Sequence, residues 1–181
     1  VQATVRTGTQ AHTCLEPHAA LARFEGDRLT LHISTQAVFH VAELIAKRYR
    51  MKLDQVRVIA DHVGGGFGSK GGLGVETIAA IELARAAQAP VRVVLDRQEE
   101  LSVTGYRPAA ELDIALLPSA TGELKALSLK AYADTGAAVN STIAGLARLI
   151  YPAEAKELAD FDVVSNLPGG SPFRAPGGPP M

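Results

Sequence analysis

The chain reads Gly64-Gly65-Gly66-Phe67-Gly68-Ser69-Lys70-Gly71-Gly72 at its most informative stretch, which places six glycines in nine positions. Glycine adopts positive φ without strain and, because it lacks a Cβ, lets backbone N–H groups approach a bound group closely. A strand-like pattern at 55–61 precedes this glycine loop, and an alanine-rich helical pattern at 75–87 follows it. A strand, a glycine loop and a helix in this order are typical of a site that holds an anionic group at a helix N-terminus.

Hydrophobic periodicity outward from the glycine loop predicts the other elements. Alternation with period 2 predicts strands, and a period of 3.6 residues predicts helices. The predicted strands are 1–9, 19–24, 28–34, 55–61, 91–95, 110–117 and 123–133, and the predicted helices are 38–49, 75–87 and 139–150, with a helical turn at 97–101. This order mixes hairpins with helical crossovers, which predicts an α+β fold with helices packed on mixed β-sheets in a two-layer sandwich.

Composition excludes several classes of function. The 181 residues are 47% hydrophobic and 20% charged, with a formal net charge of −1 and a pI near 6.6. This balance offers no basic surface for nucleic acid or anionic lipid, and no apolar run is long enough for a membrane span. The single cysteine excludes an intrachain disulfide framework and fits a reducing compartment. We therefore expect a cytoplasmic protein, with the periplasm as the alternative.

The two ends of the sequence bear on domain organisation. The chain starts at Val1 directly in a strand-like pattern, and its Gly/Pro-rich stretch at 167–181 reads as a truncated loop. We expect residues 1–181 to be a single fragment of a longer protein, with a sub-boundary near 97–110.

Two nucleotide-binding motifs compete for the glycine loop. A P-loop requires Ser or Thr directly after its lysine, but Gly71 follows Lys70. The dinucleotide fingerprint Gly-x-Gly-x-x-Gly is matched by Gly66, Gly68 and Gly71, with Asp96 as the candidate ribose ligand after the next strand. Against this reading, the strand that enters the loop carries charged residues, whereas a buried parallel strand is nearly all apolar. An NAD(P)-binding Rossmann-type domain stays open as an alternative.

Six short motifs follow one another along the chain. They are Glu16-Pro17-His18, Ser34-Thr35-Gln36, the glycine loop up to Lys70, Pro90-Val91-Arg92-Val93-Val94-Leu95-Asp96-Arg97, Thr104-Gly105-Tyr106-Arg107-Pro108 and Phe173-Arg174-Ala175-Pro176-Gly177. Together they resemble the molybdopterin-binding region of the molybdenum-binding (large) subunit in the xanthine dehydrogenase/aldehyde oxidase family. Each motif alone is weak, whereas the series, in order and at the expected spacing, is specific.

The resemblance implies a molybdopterin cofactor with molybdenum, in its cytosine dinucleotide form, that carries the redox chemistry while the protein positions it. It implies no direct metal ligand from this chain. Arg174 is the implied catalytic residue, because a guanidinium near metal and substrate stabilises developing negative charge. Gln36 is implied as the glutamine whose amide reaches an oxo ligand of the metal. The implied cofactor-binding residues are Gln36, Gly65, Gly66, Phe67 and Gly68.

The resemblance also implies an activity, namely oxidation of an aldehyde or N-heterocycle with water as the oxygen source. Gly71 and Pro176 stand where some purine-oxidising members carry a glutamate and an aromatic residue, which favours aldehydes or other substrates. Electrons would leave through iron–sulfur and FAD groups on partner subunits or domains. The family's general-base glutamate lies downstream, so we expect the fragment alone to be inactive and free of cofactor.

Other charged and polar residues have simpler interpretations. His12, Cys14 and His18 fit no zinc spacing, so we expect no metal site there. Lys70 pairs either with a phosphate or with a nearby carboxylate, and the sequence does not separate these options. The charged residues at 96–100 are expected to form a solvated cap. A non-catalytic interaction domain that inherits the fold is the remaining alternative to an enzyme.

Overall fold

The computed structural model of the protein describes residues 1–139 and 142–178. The chain divides into two compact units, one formed by residues 12–105 and the other by residues 1–11 together with 106–181. We call the first the glycine-loop unit and the second the terminal unit. Within the described ranges, no helix is both long enough and apolar enough to cross a membrane.

The regular elements mix consecutive strands with strand–helix–strand segments along the chain. They are β1 (Gln2–Thr7), β2 (Ala19–Glu25), β3 (Arg28–Ile33), α1 (Val38–Tyr49), β4 (Val56–Ile59), α2 (Val75–Ala87), β5 (Val91–Val94), α3 (Arg97–Val103), β6 (Ala110–Pro118), β7 (Leu124–Gly136), α4 (Ala147–Ile150) and β8 (Ala155–Val164). Short 3₁₀ helices lie at Leu53–Gln55 and Ala144–Leu146.

The glycine-loop unit is a four-stranded mixed sheet in the order β4-β3-β2-β5, covered by α1 and α2. β2 is antiparallel to β3 and β5, whereas β3 and β4 are parallel. Leu29, Leu31 and Ile33 alternate along β3 toward one face, where they pack with Ile45 of α1 and Ile81 of α2. Because side chains along a strand alternate between its two faces, this pattern places the apolar residues on the face that packs against α1 and α2.

The sheet order excludes the dinucleotide-binding arrangement. β3 and β2 lie between β4, which enters the glycine loop, and β5, which ends just before Asp96. A ribose-binding acid must follow a strand that is parallel and adjacent to the one entering the loop. The Rossmann alternative, with Gly66, Gly68, Gly71 and Asp96, is therefore wrong. The Asp96 side chain instead caps α3 by accepting a hydrogen bond from the Glu99 N–H at 2.8 Å.

The terminal unit is a second mixed sheet in the order β1-β6-β7-β8. β6 and β7 form a hairpin, and β8 runs parallel to β7 along its other edge. The Asp160 carboxylate on β8 accepts backbone hydrogen bonds from Ile143 and Ala144 at 2.8 Å and from Gly145 at 3.1 Å. These bonds satisfy N–H groups at the start of the 3₁₀ helix and hold it against the sheet.

The predicted α+β class with helices on mixed sheets is confirmed. One strand is missed by the prediction, and one predicted helix is wrong in part. Strand β8 was not predicted, because it is a largely exposed edge strand whose charged residues obscure the alternation of its apolar ones. The helix predicted over 139–150 is regular only from Ala144 onward, and residues 140 and 141 of that prediction lie outside the described residues.

Candidate functional site

The glycine loop connects β4 to α2 and turns through several left-handed backbone conformations. Gly65 has φ +99° and Gly68 has φ +110°, whereas Phe67 between them has φ +50° despite its side chain. A non-glycine residue in this region is strained by about 1–3 kcal/mol and persists only where its surroundings fix it. The Ser69 N–H and hydroxyl both donate to the Gly66 carbonyl, at 2.9 and 2.8 Å, and close the turn that presents Phe67, which is 44% exposed.

Gln36, just before α1, lies directly against this turn. Its Oε1 accepts the Gly68 N–H at 2.9 Å, and its own backbone N–H donates to the Lys70 carbonyl at 2.8 Å. Because Gly68 supplies a donor, the amide oxygen must face the loop, which leaves the Nε2 group as a donor for another partner. A Cβ on the buried Gly66 would lie 2.6 Å from Gln36 Cδ, so the glutamine occupies the space that glycine leaves.

The loop is anchored by a buried lysine. Lys70 is 2% exposed, and its Nζ donates to the Glu16 carbonyl at 2.8 Å, to Glu16 Oε2 at 3.0 Å and to Ser34 Oγ at 2.6 Å. The Ser34 hydroxyl in turn donates to Glu16 Oε2 at 2.6 Å. All three ammonium hydrogens therefore have acceptors, which is the condition under which a buried charge is tolerated. Of the two options for Lys70 that the sequence left open, the structure shows the carboxylate.

The Glu16 carboxylate also holds the entrance of the loop. It accepts the Gly64 N–H at 2.6 Å, and the Glu16 N–H donates to the Gly64 carbonyl at 3.3 Å. Burial raises the pKa of this carboxyl, but hydrogen bonds from Ser34, Gly64 and Lys70, with the lysine charge, outweigh burial and set the pKa below its usual value. Glu16 is therefore charged over the physiological range.

A second buried pair supports the opposite side of the loop. The Glu100 carboxylate accepts the His18 N–H at 2.8 Å and lies 2.9 Å from His18 Nδ1. His18 Nε2 lies 3.3 Å from the Ser69 carbonyl, so the imidazole ring lies between Glu100 and the glycine loop. The prediction of a solvated cap at 96–100 is correct for Asp96 and Glu99, but it is wrong for Glu100, which is 1% exposed.

The predicted site residues fall into two groups. Gln36, Gly65, Gly66, Phe67 and Gly68 are brought together in the glycine-loop unit. Arg174 belongs to the terminal unit, on the irregular segment after β8, where the residue is exposed. In the described part of the chain, no three His, Cys, Asp or Glu side chains are grouped as metal ligands. The backbone carbonyl of Cys14 accepts a hydrogen bond from the Arg97 side chain.

The sequence reasoning missed the anchoring pairs. Lys70 was singled out, but Glu16 and Ser34 were quoted only as parts of motifs, and Glu100 was given a solvent-exposed position. No local pattern joins Lys70 to Glu16, which lies 54 residues earlier. The available signal was the presence of charged residues inside motifs that are otherwise glycine-rich or apolar.

The geometry fits a ligand that carries hydrogen-bond acceptors, such as oxygen atoms. At Gly66 the Gln36 side chain leaves no room for a Cβ, so only glycine fits there. The site also offers one exposed aromatic side chain, Phe67, and the neutral amide donor of Gln36. Neutral donors steady a metal-bound or phosphate oxygen without adding charge. A pterin cofactor with oxygen-bearing substituents is a group of this kind, and the residues present fit it.

Solved structures with the same fold include two oxidoreductases. Quinoline 2-oxidoreductase from Pseudomonas putida 86 superposes with a TM-score of 0.85 over 98% of this chain and 24% of its own, at 24% sequence identity. Aldehyde oxidoreductase from Desulfovibrio gigas superposes with a TM-score of 0.81 over 99% of this chain and 20% of its own, at 26% identity. Such similarity defines the class of fold.

The chain belongs to the family of molybdopterin cofactor-binding domains, whose model matches residues 1–181. The aldehyde oxidoreductase molybdenum-binding subunit PaoC of Escherichia coli K12 is 30% identical over 99% of this chain. Xanthine dehydrogenase of Drosophila subobscura is 31% identical over 98% of it. This chain spans 25% of the first relative and 14% of the second. The resemblance stated from the motifs is thereby confirmed.

We predict that Gly66→Ala destabilises the protein and displaces Gln36. The added Cβ would overlap the Gln36 side chain, which must swing away and give up the hydrogen bond from the Gly68 N–H, a loss of about 0.5–1.5 kcal/mol. Gly72→Ala is the matched control, since a Cβ there meets nothing within 4 Å. Its effect should stay within about 0.5 kcal/mol. Denaturant unfolding of both variants measures the difference, and equal losses would contradict the close packing of Gly66 on Gln36.

We predict that stability falls as the pH drops through the lowered pKa of Glu16. A carboxyl with a depressed folded-state pKa contributes stability above its unfolded pKa, near 4.3, and loses it as the pH falls through the folded value. Glu16→Gln should therefore flatten the acid limb of a plot of Tm against pH. Glu43→Gln, on an exposed carboxylate of α1, is the control and should leave the limb as in wild type. The same acid limb in Glu16→Gln and wild type would refute the assignment.

Proposed function

We propose that this chain forms one side of the molybdopterin site of a molybdenum hydroxylase, an enzyme that oxidises an aldehyde or N-heterocycle with water as the oxygen source. The observation that carries the proposal is the position of Gln36. Its amide oxygen is held by the Gly68 N–H inside a glycine cradle, so its amide nitrogen is oriented as a donor. Membership in the family supplies the identity of the bound group.

In this proposal the cofactor, when bound, supplies the redox chemistry. The Gln36 amide donates a hydrogen bond to an oxygen of that group without adding charge beside it. Gly65 and Gly66 leave the room in which the Phe67 ring and the Gln36 side chain pack against the loop, and Phe67 and the Gly68 backbone line the cofactor. Arg174 stabilises negative charge that develops on the substrate.

An aldehyde is the substrate class that we favour. By the family resemblance, Gly71 and Pro176 stand where some purine-oxidising members carry a glutamate and an aromatic residue. The name of the Escherichia coli relative describes an aldehyde oxidoreductase. Xanthine dehydrogenase and quinoline oxidoreductase are also among the similar proteins, so the N-heterocycle stays the second choice.

The cofactor form and the partners are part of the proposal. We favour the cytosine dinucleotide form of molybdopterin. Iron–sulfur clusters are held by several cysteine thiolates, and this chain has one cysteine, so the clusters would lie on partner subunits or other domains. We place FAD there as well, on the family resemblance. The reducing conditions that suit a lone buried cysteine favour the cytoplasm, with the periplasm as the alternative.

We predict that Gln36→Glu in the full-length, cofactor-loaded protein lowers kcat. The variant keeps an oxygen for the Gly68 N–H but replaces the amide donor with an acceptor, and loss of one such donor costs about 10²- to 10³-fold. Gln98→Glu, an exposed glutamine near the start of α3, makes the same change of charge elsewhere and should retain wild-type kcat. Steady-state kinetics with an aromatic aldehyde and metal analysis of each preparation provide the readout.

Two outcomes would contradict the proposal. A wild-type kcat in Gln36→Glu would refute the role proposed for the amide donor. A full-length wild-type protein that binds molybdopterin but turns over neither aldehydes nor N-heterocycles would instead support the non-catalytic interaction domain.

We predict that residues 1–181, expressed alone, contain no stoichiometric molybdenum and show no activity. The chain spans about a quarter of the length of the similar aldehyde oxidoreductase subunit, and the resemblance implies that the general base lies outside it. Removal of a general base alone costs about 10²- to 10⁴-fold in rate. Elemental analysis of the purified piece tests this, and stoichiometric molybdenum would refute it.

A further inference from the structure

The motif Thr104-Gly105-Tyr106-Arg107-Pro108 has no role in the proposed site, yet its arginine makes an unusual set of contacts within the terminal unit. Arg107 NH2 donates to the Phe173 carbonyl at 2.6 Å and to the Arg174 carbonyl at 2.7 Å. Arg107 NH1 donates to Gln10 Oε1 at 2.7 Å. The guanidinium carbon also lies 4.4 Å from the centre of the Phe173 ring, in cation–π contact.

The backbone of Arg107 is itself fixed. Its N–H donates to the Gln10 carbonyl at 2.8 Å, and its carbonyl accepts the Gln10 N–H at 3.2 Å. The guanidinium is half-buried, and this burial lowers the pKa of Arg107. A desolvated guanidinium is a cost that its hydrogen bonds must offset, so a conformation that keeps all of these contacts is favoured over one that releases the segment.

The segment that Arg107 binds needs such support. Residues 165–178 form no helix or strand, and Ala175 has φ +57°, a left-handed conformation that is strained for alanine. Upstream, the Gly170 N–H donates to the Thr135 carbonyl and the Ser171 N–H to the Tyr106 carbonyl, both at 2.9 Å. Arg107 extends this attachment to the two carbonyls that flank the Arg174 N–H and Cα.

We propose that Arg107 is a positioning residue that fixes the Phe173–Arg174 peptide and thereby sets the direction of the Arg174 side chain. This inference rests on the catalytic role given to Arg174 under the proposed function. The planar guanidinium binds two carbonyls, an amide oxygen and a ring face at once. A lysine ammonium keeps the charge but cannot stack and reach all three oxygens together, so Lys is a partial substitute.

The test uses the full-length, cofactor-loaded protein with Arg107→Met and Arg107→Lys. Hydrogen exchange of the amides at 169–175, followed by mass spectrometry, should be faster by about 10-fold or more in Arg107→Met and intermediate in Arg107→Lys. In Arg107→Met, kcat should fall by about 10- to 100-fold, because misplacing a catalytic group by about 1 Å has this effect. KM should change by less than about 3-fold, and Arg107→Lys should recover part of kcat.

Arg97→Met is the matched control in the glycine-loop unit. Arg97 NH2 also donates to two consecutive carbonyls, those of Cys14 and Leu15, at 2.6 and 3.4 Å. Its loss should leave exchange at 169–175 as in wild type. If Arg107→Met changes exchange there no more than Arg97→Met does, the positioning role is refuted. Should Arg107→Met fail to fold, Arg107→Lys carries the same test, and wild-type exchange and kcat in it would refute the role.

Failure of the proposed function has a different signature. Wild-type kcat in Arg174→Ala would refute the catalytic role of Arg174, whatever the exchange rates are. A reduced kcat in Arg174→Ala together with unchanged exchange and kcat in Arg107→Met would refute only the positioning role.

Discussion

The ion pair between Lys70 and Glu16 is the constraint on which the glycine-loop unit depends. A loop with six glycines in nine residues has more backbone freedom to lose on folding than any ordinary segment. The pair ties the end of this loop to its beginning, because Glu16 binds both Lys70 and the Gly64 N–H. The Ser34 hydroxyl bridges the two charges. A glycine loop without this anchor would be an ensemble of conformations.

The orientation of Gln36 follows from the anchor. The Lys70 carbonyl accepts hydrogen bonds from the Gln36 N–H and from the Thr35 hydroxyl, so the residue that fixes the loop also fixes the chain just before α1. The Gly68 N–H then meets the Gln36 amide oxygen. The exposed Gln36 side chain would otherwise sample several rotamers, but its Oε1 is held by the Gly68 N–H while its backbone N–H is held by the Lys70 carbonyl of the same loop. Such pre-organisation is the basis of electrostatic assistance at an active site.

The sequence predicted regular structure well and buried charge poorly. Leu29, Leu31 and Ile33 predict β3 because alternation is a local property that the chain displays directly. Strand β8 was not predicted because an edge strand buries few side chains and keeps its charged ones in solvent. The burial of Glu100 was not predicted for a different reason. Its partner, His18, lies 82 residues away in the sequence, and no local pattern around either residue predicts that the fold brings them together. The loop glycines and Gln36 are predicted as site residues through the order of motifs and the family resemblance it carries, and this assignment stays a prediction.

Each of the two units has a strained backbone turn and a cationic side chain that anchors it. Phe67 and Ala175 are both non-glycine residues with left-handed backbone, and each is a neighbour of a residue proposed to act on cofactor or substrate. Each strained turn is held by a cation whose donors go to backbone or side-chain oxygens, Lys70 in one unit and Arg107 in the other. A neutral anchor would provide weaker hydrogen bonds, since bonds from charged donors are about twice as strong. In both units a charged anchor therefore lies beside strained backbone, a lysine among glycines in one and an arginine beside the Phe173–Arg174 segment in the other.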